Sequence, residues 1–227
     1  MYPICTPLFE LNLQISQMKI RLTISLFWLL SLHGLQAQKV YLTVGSSINN
    51  NQISYVSSLG STKTSSTSIA PVIGFEVQHA PKISTTWTLK PNKAFSNVFI
   101  GDLCAYTFHY NELSAKVDLG LVDYKSSQLC LIGGVSAQVL TEARQSFGSF
   151  NINLLEGGIE KAGSTLFFGM GSRGNESKLV SLVTDIRYNL GLTNFDQDMD
   201  QLLKIGSLSF NILFRLNMDA LNQSKDE

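Results

Sequence analysis

Apolar and polar residues alternate strictly along several stretches of this chain. Leu113, Ala115, Val117, Leu119 and Leu121 are separated by Ser114, Lys116, Asp118 and Gly120. Leu182, Thr184, Ile186, Tyr188 and Leu190 alternate with Val183, Asp185, Arg187, Asn189 and Gly191. Leu208, Phe210, Ile212, Phe214 and Leu216 alternate with Ser209, Asn211, Leu213, Arg215 and Asn217, and Ile73, Phe75 and Val77 with Gly74, Glu76 and Gln78. A period of two predicts β-strands with two unlike faces. The pattern yields ten candidate strands, at 39–47, 70–80, 84–90, 97–109, 113–123, 127–140, 150–160, 164–172, 178–192 and 205–217. The count falls to eight if 150–172 is one distorted strand around Glu156-Gly157-Gly158 and 97–123 is less regular than it looks. Most segments approach the roughly 9–11 residues that a tilted membrane strand needs.

Either even number closes an antiparallel up-and-down barrel with both termini on one side. The predicted fold class is therefore all-β, a transmembrane β-barrel of eight to ten strands. A soluble barrel would place the apolar set inside, and a membrane barrel places it outside; the period alone does not distinguish them. The connections bear on the choice. Residues 46–70 hold twelve Ser or Thr and read as a long polar loop, as does 193–204, where a short helical turn fits around Met199 to Leu203. Turns at Pro81-Lys82 and Tyr110-Asn111-Glu112 are short. Long loops at one end and short turns at the other is the outer-membrane pattern. Tyr106, Phe108, Tyr110, Phe167, Phe168, Tyr188, Phe195, Phe210 and Phe214 are candidates for aromatic girdles.

The N-terminus breaks the strand pattern. Lys19 and Arg21 precede an apolar run, Leu22 to Leu32, which ends at His33-Gly34-Leu35-Gln36-Ala37. A charged start, a short apolar core and a small residue at the cut describe a secretory signal, with cleavage expected between Ala37 and Gln38. Met18 is the expected true start. The domain reading is thus an extension plus signal over 1–37 and a barrel over 38–227.

Composition narrows the function classes. Charged residues are only 15%, and 17 Lys plus Arg balance 17 Asp plus Glu. That balance argues against a nucleic-acid partner, which usually requires a basic excess. Apolar residues at 44% argue against disorder. Three cysteines supply no metal-binding spacing; Cys104 and Cys130 remain in the mature chain, and we expect them free. Neither a cofactor nor a metal site is expected, and no catalytic residue is assigned. Gly169-Met170-Gly171-Ser172-Arg173-Gly174 matches a dinucleotide fingerprint but lacks the helix that gives it meaning. His79 lies beside a turn. The one constellation that stands out is polar and inward: Glu76, His109, Lys116, Asp118, Asp185, Arg187 and Arg215. Buried charges in a narrow barrel must pair, so these are expected to form a structural lumen network.

Asp185-Ile186-Arg187-Tyr188-Asn189-Leu190-Gly191-Leu192-Thr193-Asn194 resembles the penultimate strand of PorT-type outer-membrane β-barrels, small barrels abundant in Bacteroidota. Gln128 to Val135 resembles that family's mid-chain glycine strand, without the usual proline, and the final strand ending near Arg215-Leu216 fits. The polar tail from Asn222 to Glu227 departs from the family's aromatic ending. The resemblance implies eight strands and an outer-membrane location, and no single activity.

The leading functional expectation is a non-enzymatic envelope barrel, solvated by outer-membrane lipid. It would bind or scaffold an extracellular ligand or envelope protein through 46–70 and 193–204. The alternatives are a small passive pore, a barrel hydrolase using His109, and a soluble periplasmic barrel with Phe210 and Phe214 inside.

Overall fold

The computed structural model describes residues 39–57, 60–99, 104–147, 149–156, 160–174, 179–193 and 202–219. All lie in the compact unit Gln38–Glu227. The expected signal segment, with Ala37 and Gln38, lies outside the described residues.

Nine strands form one sheet: β1 (Lys39–Ser57), β2 (Gly60–Ala80), β3 (Ile83–Phe99), β4 (Cys104–Tyr124), β5 (Ser127–Phe147), β6 (Phe150–Asn153), β7 (Ala162–Gly174), β8 (Val180–Gly191) and β9 (Leu202–Asn217). Every ladder is antiparallel. Consecutive strands pair, β5 pairs β7, and β9 returns to β1 from Tyr41↔Asn217 to Val56↔Leu202. The ring β1-β2-β3-β4-β5-β7-β8-β9 closes on eight strands. The short β6 is an appendage that pairs only with Arg144–Phe147 of β5. Closure removes the sheet edges through the barrel wall, so backbone donors and acceptors are satisfied strand to strand.

The faces settle the ambiguity of the alternation. On β8, Val180, Leu182, Ile186, Tyr188 and Leu190 are 43–54% exposed. Their neighbours Ser181, Asp185, Arg187 and Asn189 are buried. β9 repeats the arrangement, with Phe210 and Phe214 outward and Asn211 and Arg215 inward. This overturns the soluble alternative, which needed those phenylalanines inside. The outward apolar set of β8 covers ten residue steps; at ~3.3 Å each and a tilt of ~40°, that is a belt ~25 Å tall. The chain is a transmembrane β-barrel with lipid as the solvent of its outer face.

The ends of the barrel differ. At the end carrying the termini, Pro81-Lys82 and Lys125-Ser126 make two-residue connections, with Lys125 at φ 49° as such tight hairpins require. At the far end β1 to β5 continue well past the belt. They run 17–21 residues, against 13 for β7 and 12 for β8.

Several expectations change here. Residues 46–57 and 60–70 are no loop: β1 and β2 stay in register up to Ser57↔Gly60, as a two-stranded polar ribbon. Serine and threonine signalled a loop by composition, but β-branched threonine is also a good strand former. The Tyr110-Asn111-Glu112 turn does not exist; those residues lie within β4, and the two predicted strands on either side of it are one. Segment 97–99 belongs to β3 and 104–109 to β4. Of segment 150–160, Phe150–Asn153 is β6 and Leu154–Glu156 a 3-10 turn, while 157–159 lie outside the described residues. Residues 202–204 belong to β9, whereas 194–201, with the rest of the 193–204 link after Thr193, lie outside the described residues. The count is eight in the ring, not ten.

The same register settles the cysteines. Cys104 pairs with Phe147, seventeen residues along β5 from Cys130. That is ~56 Å at ~3.3 Å per residue, far beyond the reach of a disulfide. Cys130 is a buried free thiol.

Candidate functional site

The lumen is where charge concentrates. Among the described residues, six cations (Lys90, Lys93, Lys116, Arg173, Arg187, Arg215) and four carboxylates (Glu76, Glu112, Asp118, Asp185) are buried in it, an excess of two positive charges. They fall into three groups along the barrel.

Nearest the termini, Glu76 Oε1 accepts from Arg215 Nη1 at 3.1 Å and from Arg173 Nη1 at 3.2 Å. Arg215 also donates to Ser181 Oγ at 3.0 Å and to the Gly174 carbonyl at 3.1 Å, and it lies 4.2 Å over the Tyr41 ring. Arg173 donates to Ser84 Oγ at 2.9 Å, to the Pro81 carbonyl at 3.3 Å and to Gln128. In the eight-strand ring β2 and β7 are diametrically opposite. The Glu76–Arg173 bond therefore spans the full width of the lumen.

In the middle, Arg187 clasps Asp185 with Nε at 2.7 Å and Nη2 at 2.8 Å, a two-bond fork. Lys116 bridges Asp118 at 3.1 Å and Asp185 at 3.5 Å, joining β4 to β8. Asn211 donates to Asp185, and Ser84 and Thr86 each donate to Asp118 at 3.4 Å. The Arg187 guanidinium lies 5.0 Å over the Phe167 ring. Gly134 makes room for that ring: a Cβ there would stand 2.5 Å from it and 2.3 Å from the Ala115 carbonyl.

Toward the far end, Lys90 and Lys93 both donate to Glu112, at 3.0 Å and 3.2 Å, and Gln138 donates to it at 3.4 Å. Lys90 and Lys93 are three apart, so strict alternation would send them to opposite faces. The register shifts between them, at Pro91-Asn92, and Asn92 takes a positive φ of 49°. Proline cannot donate to the ladder, and asparagine tolerates the left-handed conformation. The resulting bulge turns Lys93 back inward. Lys93 Nζ also stands 5.2 Å over the Tyr110 ring.

A different chemistry fills the seam where β8, β9 and β1 meet. Asn189 donates to Ser207 Oγ at 2.9 Å and Ser209 Oγ at 2.8 Å. Ser209 Oγ donates in turn to Asn49 Oδ1 at 2.7 Å, and Asn51 donates to Ser68 at 2.9 Å.

Of the expected inward residues, the structure places Glu76, Lys116, Asp118, Asp185, Arg187 and Arg215 in the lumen, each buried with an oppositely charged partner. His109 is the correction. It lies between the buried Phe108 and Tyr110, pairs across to Glu142, and meets Asn92 Oδ1 through Nδ1 at 3.0 Å at an exposed position. It belongs to the outer face, beside the bulge, so the hydrolase reading with an inward His109 loses its geometry. His79 meets Thr85 Oγ1 at 2.9 Å. Phe108, Tyr110 and Phe167 fill the lumen and belong to no girdle, while Phe168, Tyr188, Phe210 and Phe214 face outward. Tyr106, by its side chain, and Phe195 fall outside what is described.

Lys90, Lys93, Glu112 and Arg173 escaped the sequence reading because each lay at or beyond an expected strand end. Glu112 carried a usable signal: it continues the Ser114, Lys116, Asp118 series two residues at a time. Among the described residues no group of three or more His, Cys, Asp or Glu is placed to hold a metal ion.

No family model matches the chain, and no curated protein matches it either. Solved structures do. Neisserial surface protein A is 15% identical, with 80% of this chain and 99% of that one covered at a TM-score of 0.50. OprG, an outer-membrane protein from Pseudomonas aeruginosa, is 9% identical over 81% and 97% of the two chains, with a TM-score of 0.49. The first likeness carries the fold: an eight-stranded barrel of the outer-membrane kind.

Proposed function

We propose that this protein is an integral outer-membrane barrel with a non-enzymatic envelope role, working through the strand ribbons and loops that rise from its far end. The observation that carries this reading is the division of labour in the wall. The belt is apolar outside and its lumen is cross-tied, which suits a scaffold. Above the belt the outward positions of β1, β2, β4 and β5 turn polar: Ile48 faces Ile69, and the next outward pair is Asn50 with Thr67. On β4 the change falls between Leu113 and Asn111, and on β5 between Val139 and Thr141. Polar ribbons on a rigid barrel are placed to meet something in water.

Export through a signal cleaved between Ala37 and Gln38 belongs to this reading, as does kinship with the PorT-type barrels of Bacteroidota. The Asp185–Asn194 segment supports the kinship: its Asp185, Arg187 and Asn189 all serve the lumen. N-terminal sequencing of the mature protein is expected to begin at Gln38.

The passive-pore alternative is disfavoured by the Glu76–Arg173 bond across the lumen. Single cysteines at Thr67 and at Lys82 test the reading. In intact cells a membrane-impermeant maleimide is expected to label Thr67→Cys and spare Lys82→Cys, and planar bilayers are expected to show no sustained current. Labelling at Lys82 alone, or steady conductance, would overturn it.

A further inference from the structure

The far end holds a cleft that the lumen network does not explain. β7 begins at Ala162, opposite Val139 of β5, and β6 pairs with β5 only from Arg144 upward. Between them, residues 141–143 of β5 lie along a window among the described strands, while Leu140 N still donates to the Lys161 carbonyl at 2.7 Å. The register of β5 against β4 also shifts here, between Tyr110↔Leu140 and His109↔Glu142, so Thr141 is an inserted residue. The window is a cleft of about 450 Å³ lined by Thr141, Glu142, Arg144, Asn151, Asn153 and the apolar pair Ile152 and Leu155. That volume lies within the range of small-molecule sites.

The lining states what would fit. Arg144 Nε meets Glu142 Oε1 at 2.7 Å, so the cation and the anion of the lining cancel each other, and the exposed Glu156 stands outside the lining with its carboxylate on Asn153. An anionic ligand would have to displace the Glu142 carboxylate, and a cationic one the Arg144 guanidinium. What remains is a set of fixed donors and acceptors, two carboxamides, a hydroxyl and the ion pair itself, beside a small apolar floor. Asn151 is held by Ser146 Oγ at 2.6 Å, and Asn153 by Glu156 at 3.0 Å and the Leu155 amide at 3.1 Å. With those bonds made, Asn151 Nδ2 keeps its donors, Asn153 Nδ2 keeps its second hydrogen, and each Oδ1 keeps a second lone pair, a set that matches vicinal hydroxyls. Ile152 and Leu155 suit the C–H face of a sugar ring.

We propose that this cleft binds a neutral saccharide. The proposal rests on the reading that the far end faces outward from the cell. Its place just above the outward apolar Val139 of β5 leaves two sources for the same chemistry: the sugar headgroup of a lipid in the same leaflet, or a free glycan from the medium.

The test uses the full-length barrel in nanodiscs against an array of neutral and anionic di- to tetrasaccharides. The same headgroups are also offered as glycolipids within the disc. Saturable binding of a neutral saccharide is expected, weakened at least tenfold by the double substitution Asn151→Ala and Asn153→Ala. Binding confined to the disc-borne headgroups would assign the lipid source, and binding of the free sugars the external one. Folding of the variant is checked by its gel mobility before and after boiling. Glu142→Gln, which leaves Arg144 uncompensated, is expected to shift preference toward anionic glycans. Absence of any neutral binder, an unaffected double variant, or tighter binding of anionic glycans by the unmodified protein would overturn the proposal. None of these would disturb the maleimide result, so the two readings fail separately.

Discussion

The charged part of the lumen and the small-polar seam solve one problem by opposite means. Around β2, β4, β7 and β8, long side chains cross the interior: Glu76 reaches Arg173 on the opposite strand, and Lys116 reaches Asp185 from β4 to β8. Along β8, β9 and β1, serines and asparagines bond to adjoining strands, as Asn189 does with Ser207 and Ser209 and Ser209 with Asn49. The first arrangement braces wall against wall; the second stitches neighbouring strands. The difference teaches where stability is concentrated. Removing one member of a buried ion group leaves a charge stranded, whereas removing one member of the seam leaves a hydroxyl or amide short of a bond.

The largest predicted effect follows from that asymmetry. Glu76→Ala strands Arg173 and Arg215 and is expected to cost about 3–5 kcal/mol, read as a lowered urea midpoint for the barrel in detergent. A cost no greater than that of a seam substitution would break the comparison. Next comes the outer face. Ile186→Arg, mid-belt on β8, is expected to cost about 2–4 kcal/mol in a lipid bilayer, and a neutral outcome there would remove the lipid-facing assignment. In the seam, Asn49→Ala is expected to cost roughly 1 kcal/mol, seen in the same titration. The smallest effect belongs to Thr67→Arg on the ribbon, above the belt, where the cost is expected to fall to about 0–1 kcal/mol. Equal penalties at Ile186 and Thr67 would erase the boundary drawn between them.

Much of this was legible in the sequence, for a physical reason. In a narrow barrel the two faces of a strand meet unlike solvents, so alternation through Leu182–Gly191 or Leu208–Asn217 marks the wall directly. Six of the seven expected inward residues are buried there because parity holds as long as the ladder stays regular. His109 was misplaced because the turn expected at Tyr110-Asn111-Glu112 cut it off from the Ser114, Lys116, Asp118 series, whose parity runs unbroken down to Phe108 and sends His109 outward. The shifts at Pro91-Asn92 and Thr141 reverse parity on either side of β4, and a bulge leaves little trace in the hydrophobic pattern. The ribbons were misread as loops because above the belt both faces meet water, and alternation vanishes although the strand continues.

The pairing of β1 with β9 has a consequence in time as well as in space. Tyr41 bonds beside Asn217, so the first strand of the barrel finds its second neighbour only when the last strand is made. Until then β1 presents one bare edge, and the Glu76–Arg215 bond between β2 and β9 cannot form. Contacts between residues so distant in sequence make folding slow. The interval before closure is the period in which an unpaired strand invites the wrong partner. A chain built this way is most vulnerable while it waits for its own C-terminus.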